Sequence, residues 1–406
     1  MDKLVALPLR GESFLLAKGD RRVLVDGGYS STRLSKSLRV VDPRLSHIDI
    51  VVCTHGDVDH AGGLKDFIDQ SGISIGEFWL PGSWKDSVGA LLYTPKTVAN
   101  ELVSELDAFA KELNQNNADA IYKILDERIL SERQRAVGKE FRGDKGQAEA
   151  LFESSGKQNA DLLIVDEDAR SAFDSARRRL QERRRKGSVP DTLVHYWLGL
   201  VKTADIIRSI ARQAIKHRVK VRWFDFEEFS LTNRAIGGDN GYLEPLNSVE
   251  QSRLPRAGLS YLAMLSQRNQ ECLAFFAPSS FGELGVIFCG DSPMGYGAGY
   301  TTSFLGLRPE PSWPVVATAP HHGSDSNAIA YRHISQWADV LCWVRAGGTK
   351  RHPGKAFKSL PTEKRACTHC PQVKENPSKA EIDLSNLLVW PLILPVRIML
   401  PRSCSC

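Results

Sequence analysis

The chain has 406 residues, a formal net charge of +5 and eight cysteines, and 42% of its residues are hydrophobic. This share is enough for one large domain or two to three ordinary ones, and it excludes a disordered chain. No segment is long and apolar enough to span a bilayer, and the first ten residues lack the pattern of a secretory signal, so we expect a cytoplasmic protein with no membrane partner. The cysteine content favours reduced thiols over a disulfide framework.

Alternating apolar runs bounded by tight turns predict strands in the first 85 residues. A short helix is predicted between the last two of these strands, because Leu64, Phe67 and Ile68 fall at helical spacing. The predicted strands are Leu4 to Leu9, Phe14 to Ala17, Arg22 to Val25, Ile48 to Cys53 and Ser74 to Leu80.

The next part of the chain is charged, rich in Ala, Leu and Arg and poor in Gly, which favours amphipathic helices. We interpret residues 86–219 as a helical insertion between two halves of one domain, residues 1–85 and 220–360, with residues 361–406 as a tail of no predicted structure. Strands are predicted again over Val219 to Phe224, Leu259 to Leu265, Glu271 to Ala277, Leu284 to Cys289, Val315 to Ala317 and Asp339 to Val344.

The segment from Thr54 to Gly63 follows a buried apolar strand and is rich in acids and histidines. If it stays extended, His55, Asp57 and Asp59 point to the same side. Two carboxylates and two imidazoles within six residues repel and are costly to bury unless a positive charge lies between them. The segment therefore predicts a divalent metal ion.

Four other predicted strands also end in acids or histidines, which indicates one shared polar edge. Each residue also has a plainer interpretation, as a turn residue, a helix start or a solvated loop residue. For Asp26 the choice between a turn residue and structural support for a site stays open. The residues at these four ends are Asp26, Asp291, the pair His321 and His322, and His352.

Taken in order, these motifs resemble the metallo-β-lactamase fold, in the variant whose second motif histidine is an aspartate. They are similar to the metallo-β-lactamase domain of the competence protein ComEC and its stand-alone relatives. The resemblance covers roughly residues 1 to 85 and 255 to 355, and it implies an α/β fold, an αββα sandwich with metal at one edge of the paired sheets. The motifs are Gly11-Glu12-Ser13-Phe14-Leu15-Leu16, Leu24-Val25-Asp26-Gly27-Gly28, His55-Gly56-Asp57-Val58-Asp59-His60, Gly290-Asp291, His321-His322-Gly323-Ser324 and His352-Pro353.

The resemblance also implies a metal site with two divalent ions, in which Asp291 bridges the ions and His352 is the last ligand. Glu12 stands where relatives usually have aspartate, and an extra ligand histidine is missing before Asp291, so His321 or His322 could replace it. The other implied ligands are His55, Asp57, Asp59 and His60.

The ligand set bears on the metal and on catalysis. An aspartate in place of an imidazole makes the site harder, so we expect manganese or zinc, with magnesium possible. A free imidazole of His321 or His322 could protonate a leaving oxygen. Asp59, His321 and His322 are therefore the candidate catalytic residues.

Two features lie outside these motifs. A basic segment is either a solvated helix end or an arm that follows nucleic-acid phosphates. Cys367 and Cys370 with Cys404 and Cys406 could form a structural zinc site, but the spacing of the second pair favours unrelated reduced thiols. The basic segment consists of Arg177, Arg178, Arg179, Arg183, Arg184, Arg185 and Lys186.

From these observations we favour a metal-dependent hydrolase, specifically a binuclear phosphodiesterase or nuclease. One alternative is a hydrolase of a small ester, lactone or nucleotide, because one fold hosts many chemistries. Another is a metal-poor scaffold whose helical insertion binds a protein partner.

Overall fold

The computed structural model describes residues 2–113, 118–137, 139, 158–251, 255–279, 283–306, 314–348, 352–370, 378–385, 404 and 406. Parts of the predicted helical insertion (114–117, 138 and 140–157) and of the tail (371–377, 386–403 and 405) lie outside these residues.

Within the described ranges the chain forms sixteen strands and twelve α-helices. The strands are β1 (Lys3–Ala6), β2 (Phe14–Lys18), β3 (Arg21–Val25), β4 (His47–Val52), β5 (Ser74–Pro81), β6 (Lys220–Asp225), β7 (Glu244–Pro245), β8 (Val249–Glu250), β9 (Phe275–Ala277), β10 (Gly285–Phe288), β11 (Gly295–Tyr296), β12 (Thr302–Ser303), β13 (Pro314–Thr318), β14 (Asp339–Arg345), β15 (Arg365–Cys367) and β16 (Ala380–Asp383). The helices are α1 (Ser31–Val41), α2 (Val58–Ala61), α3 (Phe67–Ser71), α4 (Lys85–Tyr93), α5 (Pro95–Glu112), α6 (Ala118–Ala136), α7 (Gln158–Arg185), α8 (Asp191–His217), α9 (Phe226–Thr232), α10 (Tyr261–Leu265), α11 (Ala328–Trp337) and α12 (Lys355–Lys358).

Two large sheets carry the fold in the described part of the chain. The first has the strand order β16-β1-β2-β3-β4-β5-β6-β8, and the second has the order β15-β14-β13-β10-β9-β7. Strands β3 to β6 are parallel to one another, and so are β10, β13, β14 and β15. The carboxyl ends of parallel neighbours meet at the same edge, which places the loops after β3 and β4 side by side.

The sheets pack face to face, with helices on both outer faces. Both faces of the first sheet are apolar, because side chains alternate along its strands. In β4, Ile50 and Val52 lie in the core between the sheets, whereas Val51 points to the helices. Helix α11 covers the outer face of the second sheet through Ala330 and Ile334. The predicted αββα sandwich is therefore confirmed.

The helices between β5 and β6 cover the outer face of the first sheet. Helix α8 is buried along most of its length, and its apolar residues share one core with that sheet. Hydrogen bonds also join it to the loop between β4 and β5: Thr203 Oγ1 donates to the Gly56 carbonyl over 3.1 Å, and Gln213 Nε2 donates to the Leu64 carbonyl over 3.0 Å. The helical stretch thus packs directly behind the acid- and histidine-rich segment.

One predicted strand is wrong. Residues 261–265 form helix α10, because the Ser260 hydroxyl accepts a hydrogen bond from the Ala263 backbone N–H and caps the first turn.

In residues 361–406, β15 and β16 each add an edge strand to one of the sheets. No helix in the described ranges combines the length and apolar character needed to cross a bilayer.

Candidate metal centre

The acids and histidines predicted from the strand ends lie in loops at one edge of the two sheets. The extended arrangement expected after β4 is wrong from Val58 onward, because helix α2 begins there. His55 and Asp57 therefore precede the helix, whereas Asp59 and His60 lie on its single turn. This change of conformation lets His60 turn inward, and it is fully buried.

Asp26 determines how His60 is oriented. Its carboxylate accepts hydrogen bonds from the Thr54 backbone N–H (2.8 Å), the Thr54 hydroxyl (2.7 Å) and His60 Nδ1 (2.8 Å). Since Nδ1 donates to Asp26, Nε2 of His60 faces the centre of the site as a lone-pair donor. Asp26 is thus a positioning residue, and its left-handed backbone (φ 61°) also forms the turn after β3.

Asp291 lies between two histidines and uses a different oxygen for each. Its Oδ1 is 3.2 Å from His60 Nε2, and its Oδ2 is 3.7 Å from His55 Nε2. Oδ2 is also 3.4 Å from His321 Nε2. A carboxylate that presents its two oxygens to two separate imidazoles is suited to bridge two cations.

His322 and Asp59 form the other side of the site. Nε2 of His322 lies 3.0 Å from Asp59 Oδ2, and Nδ1 donates to the Ala346 carbonyl over 3.0 Å. Glu12 Oε2 is 3.4 Å from the same Nδ1. Both nitrogens of His322 are therefore engaged, so this ring holds Asp59 in place.

The remaining predicted residues lie at the opening. Asp57 is exposed, with Oδ2 3.7 Å from His55 Nε2. The His352 ring is 5.8 Å from each of the rings of His321 and His322, so it joins the same cluster. The structure thus brings together all six predicted ligands and both predicted catalytic histidines.

The site holds several carboxylates whose negative charge no nearby lysine or arginine in the described ranges balances. In the described part of the chain, no lysine or arginine pairs with the carboxylates of Glu12, Asp26, Asp57, Asp59 or Asp291. Burial opposes protonation of His60, but Asp291 and Asp26 raise its pKa well above the usual range. Burial would raise the pKa of Asp291, yet His60 and His55 hold it well below its usual value. Burial raises the pKa of Glu12 to about 7.

Orphaned atoms show that the residues present fit metal ions. At this site, four buried side-chain atoms have no hydrogen-bond partner among the described residues: Glu12 Oε2, His55 Nε2, His60 Nε2 and Asp291 Oδ1. His55, His60 and Asp291 offer ligand atoms within 4.8 Å of one another, as do Glu12, His60 and His322. Ligand atoms around a tetrahedral ion with bonds of about 2.1 Å lie about 3.4 Å apart, close to the distances found here.

Both groups of ligand atoms, His55-His60-Asp291 and Glu12-His60-His322, contain His60, so the two groups cannot each bind an ion independently. Because Nδ1 of His60 is held by Asp26, only Nε2 is left to bind an ion. A second ion would therefore depend on the second oxygen of Asp291 and on the residues around His55.

Three supporting residues were missed by sequence reasoning. Cys272 Sγ accepts from the Asp291 backbone N–H (3.1 Å) and lies 3.3 Å from His55 Nδ1. Asn327 donates to the Asp291 carbonyl over 2.6 Å, and Arg345 Nε donates to the His322 carbonyl over 2.9 Å. Each is distant in sequence and belongs to no recognisable motif, so no local signal identifies it.

The basic segment lies at the end of α7, and acids or amides of the protein engage most of it. Arg183 makes a bidentate pair with Asp107 at 2.6 Å, and Arg177 pairs with Asp205 at 2.6 Å. Further contacts are Arg179 with Asn100, Arg184 with Asp191 and Lys186 with Glu182. Arg178 and Arg185 are exposed and form no ion pair within the described ranges.

Three solved structures are similar to a limited part of the chain. Rm3 metallo-β-lactamase is 23% identical over 21% of this chain and 32% of its own, with a TM-score of 0.18. A metallo-β-lactamase with a HARLDQ motif from Cronobacter sakazakii is 18% identical over 21% of this chain and 34% of its own, with a TM-score of 0.18. MEM-A1, a subclass B3 metallo-β-lactamase from a soil metagenome library, is 20% identical over 22% of this chain and 37% of its own, also with a TM-score of 0.18.

The chain thus spans about a third of the length of the first of these structures. No curated protein matches it. Residues 7–94, which include Glu12, Asp26 and the segment from His55 to His60, match the family model described as Metallo-beta-lactamase superfamily. Over these residues, about a fifth of the chain, the sequence is therefore similar to the metallo-β-lactamase superfamily.

Proposed function

We propose that the protein is a metal-dependent hydrolase that holds two divalent ions at this centre. The observation that carries the proposal is the set of orphaned, buried and mutually facing atoms of Glu12, His55, His60 and Asp291. Buried polar atoms without partners are costly, and ions would satisfy those of His55, His60 and Asp291, beside which Glu12 lies. The match of residues 7–94 to the superfamily supports the same class of reaction.

The geometry divides the ligands into two groups that share Asp291. His55, Asp57 and one oxygen of Asp291 would hold one ion, and His60 with the other oxygen would hold the second. Glu12, Asp59, His322 and His352 lie around the second group. Ions bound there would lower the pKa of a water molecule toward neutrality and stabilise charge on the oxygens that attack and leave.

The two adjacent histidines would have different tasks. His322 is buried and positions Asp59. His321 is partly exposed, with Nε2 3.4 Å from Asp291 Oδ2, so it can meet a substrate. We therefore assign to His321 the proton donated to the leaving oxygen, and to His322 the positioning of a ligand.

A phosphodiester is the substrate class we propose, with nucleic acid as its polymeric form. The carboxylate-rich centre favours manganese or magnesium, which suit phosphate chemistry. The exposed guanidinium groups of Arg178 and Arg185 supply a further site of phosphate attraction.

The test uses the full chain loaded with manganese and labelled single- and double-stranded DNA and RNA. We expect nucleotide release by the native chain, with Asp59→Ala at least about 100-fold slower, because losing a ligand should cost no less than the upper end of the 10- to 100-fold range found for partners of ligands. Asp20→Ala, an exposed aspartate away from the motifs, is the control and should match the native chain. Bound metal with no turnover on any nucleic acid, but with hydrolysis of small esters, would remove the nuclease assignment.

Charge reversal of the basic segment tests the polymeric substrate separately. Arg178→Glu with Arg185→Glu should raise KM for nucleic acid, reduce its salt dependence and leave kcat unchanged, because lost phosphate contacts weaken binding only. Turnover of a small chromogenic phosphodiester should not change. Lys36→Glu with Arg44→Glu makes the same charge change at exposed positions elsewhere. If both pairs raise KM equally, the segment has no specific role.

A further inference from the structure

Four cysteines form a second cluster, separate from the candidate metal centre. Cys367 ends β15, Cys370 follows it, and Cys404 and Cys406 come from the end of the chain. Their four Sγ atoms lie within 4.8 Å of one another. All four are free thiols.

The contacts among the sulfurs do not divide into two pairs. Cys406 Sγ lies 2.8 Å from Cys370 Sγ and 3.5 Å from Cys367 Sγ, and Cys370 Sγ is also 3.5 Å from Cys404 Sγ. A disulfide joins each sulfur to one partner at about 2.05 Å. Four thiolates around zinc, with bonds of about 2.3 Å, lie about 3.8 Å apart. The arrangement therefore favours one shared ion over two disulfides.

We propose that Cys367, Cys370, Cys404 and Cys406 bind a single structural zinc ion as a closed tetrathiolate site. Each thiol gives up its proton and each thiolate donates an electron pair to the ion, so four protons are released and no atom is oxidised or reduced. The complex carries two negative charges. Arg345, a buried guanidinium whose Nη1 lies 3.9 Å from Cys406 Sγ, provides a nearby positive charge.

The site would fasten the end of the chain to the second sheet. The Cys404 backbone N–H donates to the Arg365 carbonyl over 3.3 Å, and Arg365 Nη1 donates to the Cys406 carbonyl over 3.4 Å. Strand β15, which carries Cys367, is the edge strand of that sheet. Because Arg345 also donates to the His322 carbonyl, the zinc site would support the loop of the catalytic histidines.

The experiment counts zinc in the full chain on an Asp291→Ala background, which weakens the other centre. Cys370→Ser with Cys406→Ser should lose one zinc ion relative to that background and should unfold at a lower temperature. Cys370→His keeps a zinc ligand and should retain the ion. Both substituted cysteines are only partly buried, which limits damage to the core.

Cobalt gives a readout that needs no variant. The native chain loaded with cobalt should show the strong near-ultraviolet charge-transfer absorption of cobalt thiolate, and four thiols should become reactive only after a chelator is added. Absence of that absorption, an unchanged zinc count in the serine variant, or a mass lowered by the hydrogens of two disulfides in the freshly isolated chain would each overturn the proposal.

Discussion

Asp26 shows how one buried carboxylate can set up a metal ligand. It accepts three hydrogen bonds, and the one from His60 Nδ1 leaves Nε2 free to face Asp291. An amide at this position would place an N–H where one of these donors now lies. We expect Asp26→Asn to weaken metal affinity about 10- to 100-fold, which is typical of losing a partner that orients a metal-ligating histidine. Titration of the metal-free chain with manganese measures this change.

Asp49→Asn is the matched control for that substitution. Asp49 lies in β4 and also accepts a backbone hydrogen bond, from Arg22 N–H at 2.7 Å, but it has no contact with the site. Its manganese affinity should equal that of the native chain. If Asp26→Asn also binds manganese normally, Asp26 is only a turn residue.

Gln213 links helix α8 to the segment that carries the metal ligands. Its side chain is fully buried, with Nε2 donating to the Leu64 carbonyl and Oε1 accepting from the Ile68 backbone N–H over 2.8 Å. Gln213→Leu leaves both backbone groups without these partners. Because each buried unpaired group costs about 1–3 kcal/mol, we expect a loss of about 2–4 kcal/mol in the free energy of unfolding.

Urea unfolding checks this expectation, with Lys202→Leu as the control. Lys202 lies on the same helix and is exposed, so the same new side chain there should change stability by less than about 0.5 kcal/mol. If the two substitutions lower the free energy of unfolding equally, the hydrogen bonds of Gln213 are not the cause, and the prediction is wrong.

Strand ends were the elements that the sequence predicted best. Apolar runs followed by Asp26, His55 and Asp291 predicted the polar edge, since parallel neighbours end at the same side of a sheet. The helical turn of α2 was not predictable from alternation, and neither was the short helix α10, because in both a local turn replaces extended backbone over a few residues.

Contacts between distant segments were beyond sequence reasoning at the scale of the whole molecule. Nothing local indicates that Cys272 lies beside His55, and the spacing of Cys404 and Cys406 favours unrelated thiols over the cluster that they form with Cys367. The same holds for Glu12, which sequence reasoning noted only as a departure from the family but which the structure buries beside His322. Such neighbours arise from sheet packing and chain path, which a spacing pattern does not encode.

A buried ion pair joins the helical stretch to the second half of the sandwich. Arg133 of α6 donates to both oxygens of Glu271, which lies just before β9, at 3.0 and 2.9 Å. Burial would raise the pKa of Glu271, but Arg133 and Arg268 outweigh it and lower that pKa below its ordinary value. Since the folded-state pKa is depressed, the carboxylate stabilises the protein above the unfolded pKa, and this contribution is lost as pH falls.

We therefore expect Glu271→Gln to destabilise the protein by about 3–5 kcal/mol at pH 7, because it leaves the buried Arg133 without its closest carboxylate, and the remaining one, Glu227, has its Oε1 3.6 Å away. The difference from the native chain should shrink as pH falls below about 4.3, where the carboxyl of the unfolded chain is protonated. Urea midpoints at pH 7, 5 and 4 measure it. Glu381→Gln removes a partly exposed pair with Lys3 and Lys379 and should cost less than about 1 kcal/mol at every pH. If Glu271→Gln lowers the free energy of unfolding as little as Glu381→Gln does, the pair of Arg133 and Glu271 does not hold α6 to the segment before β9.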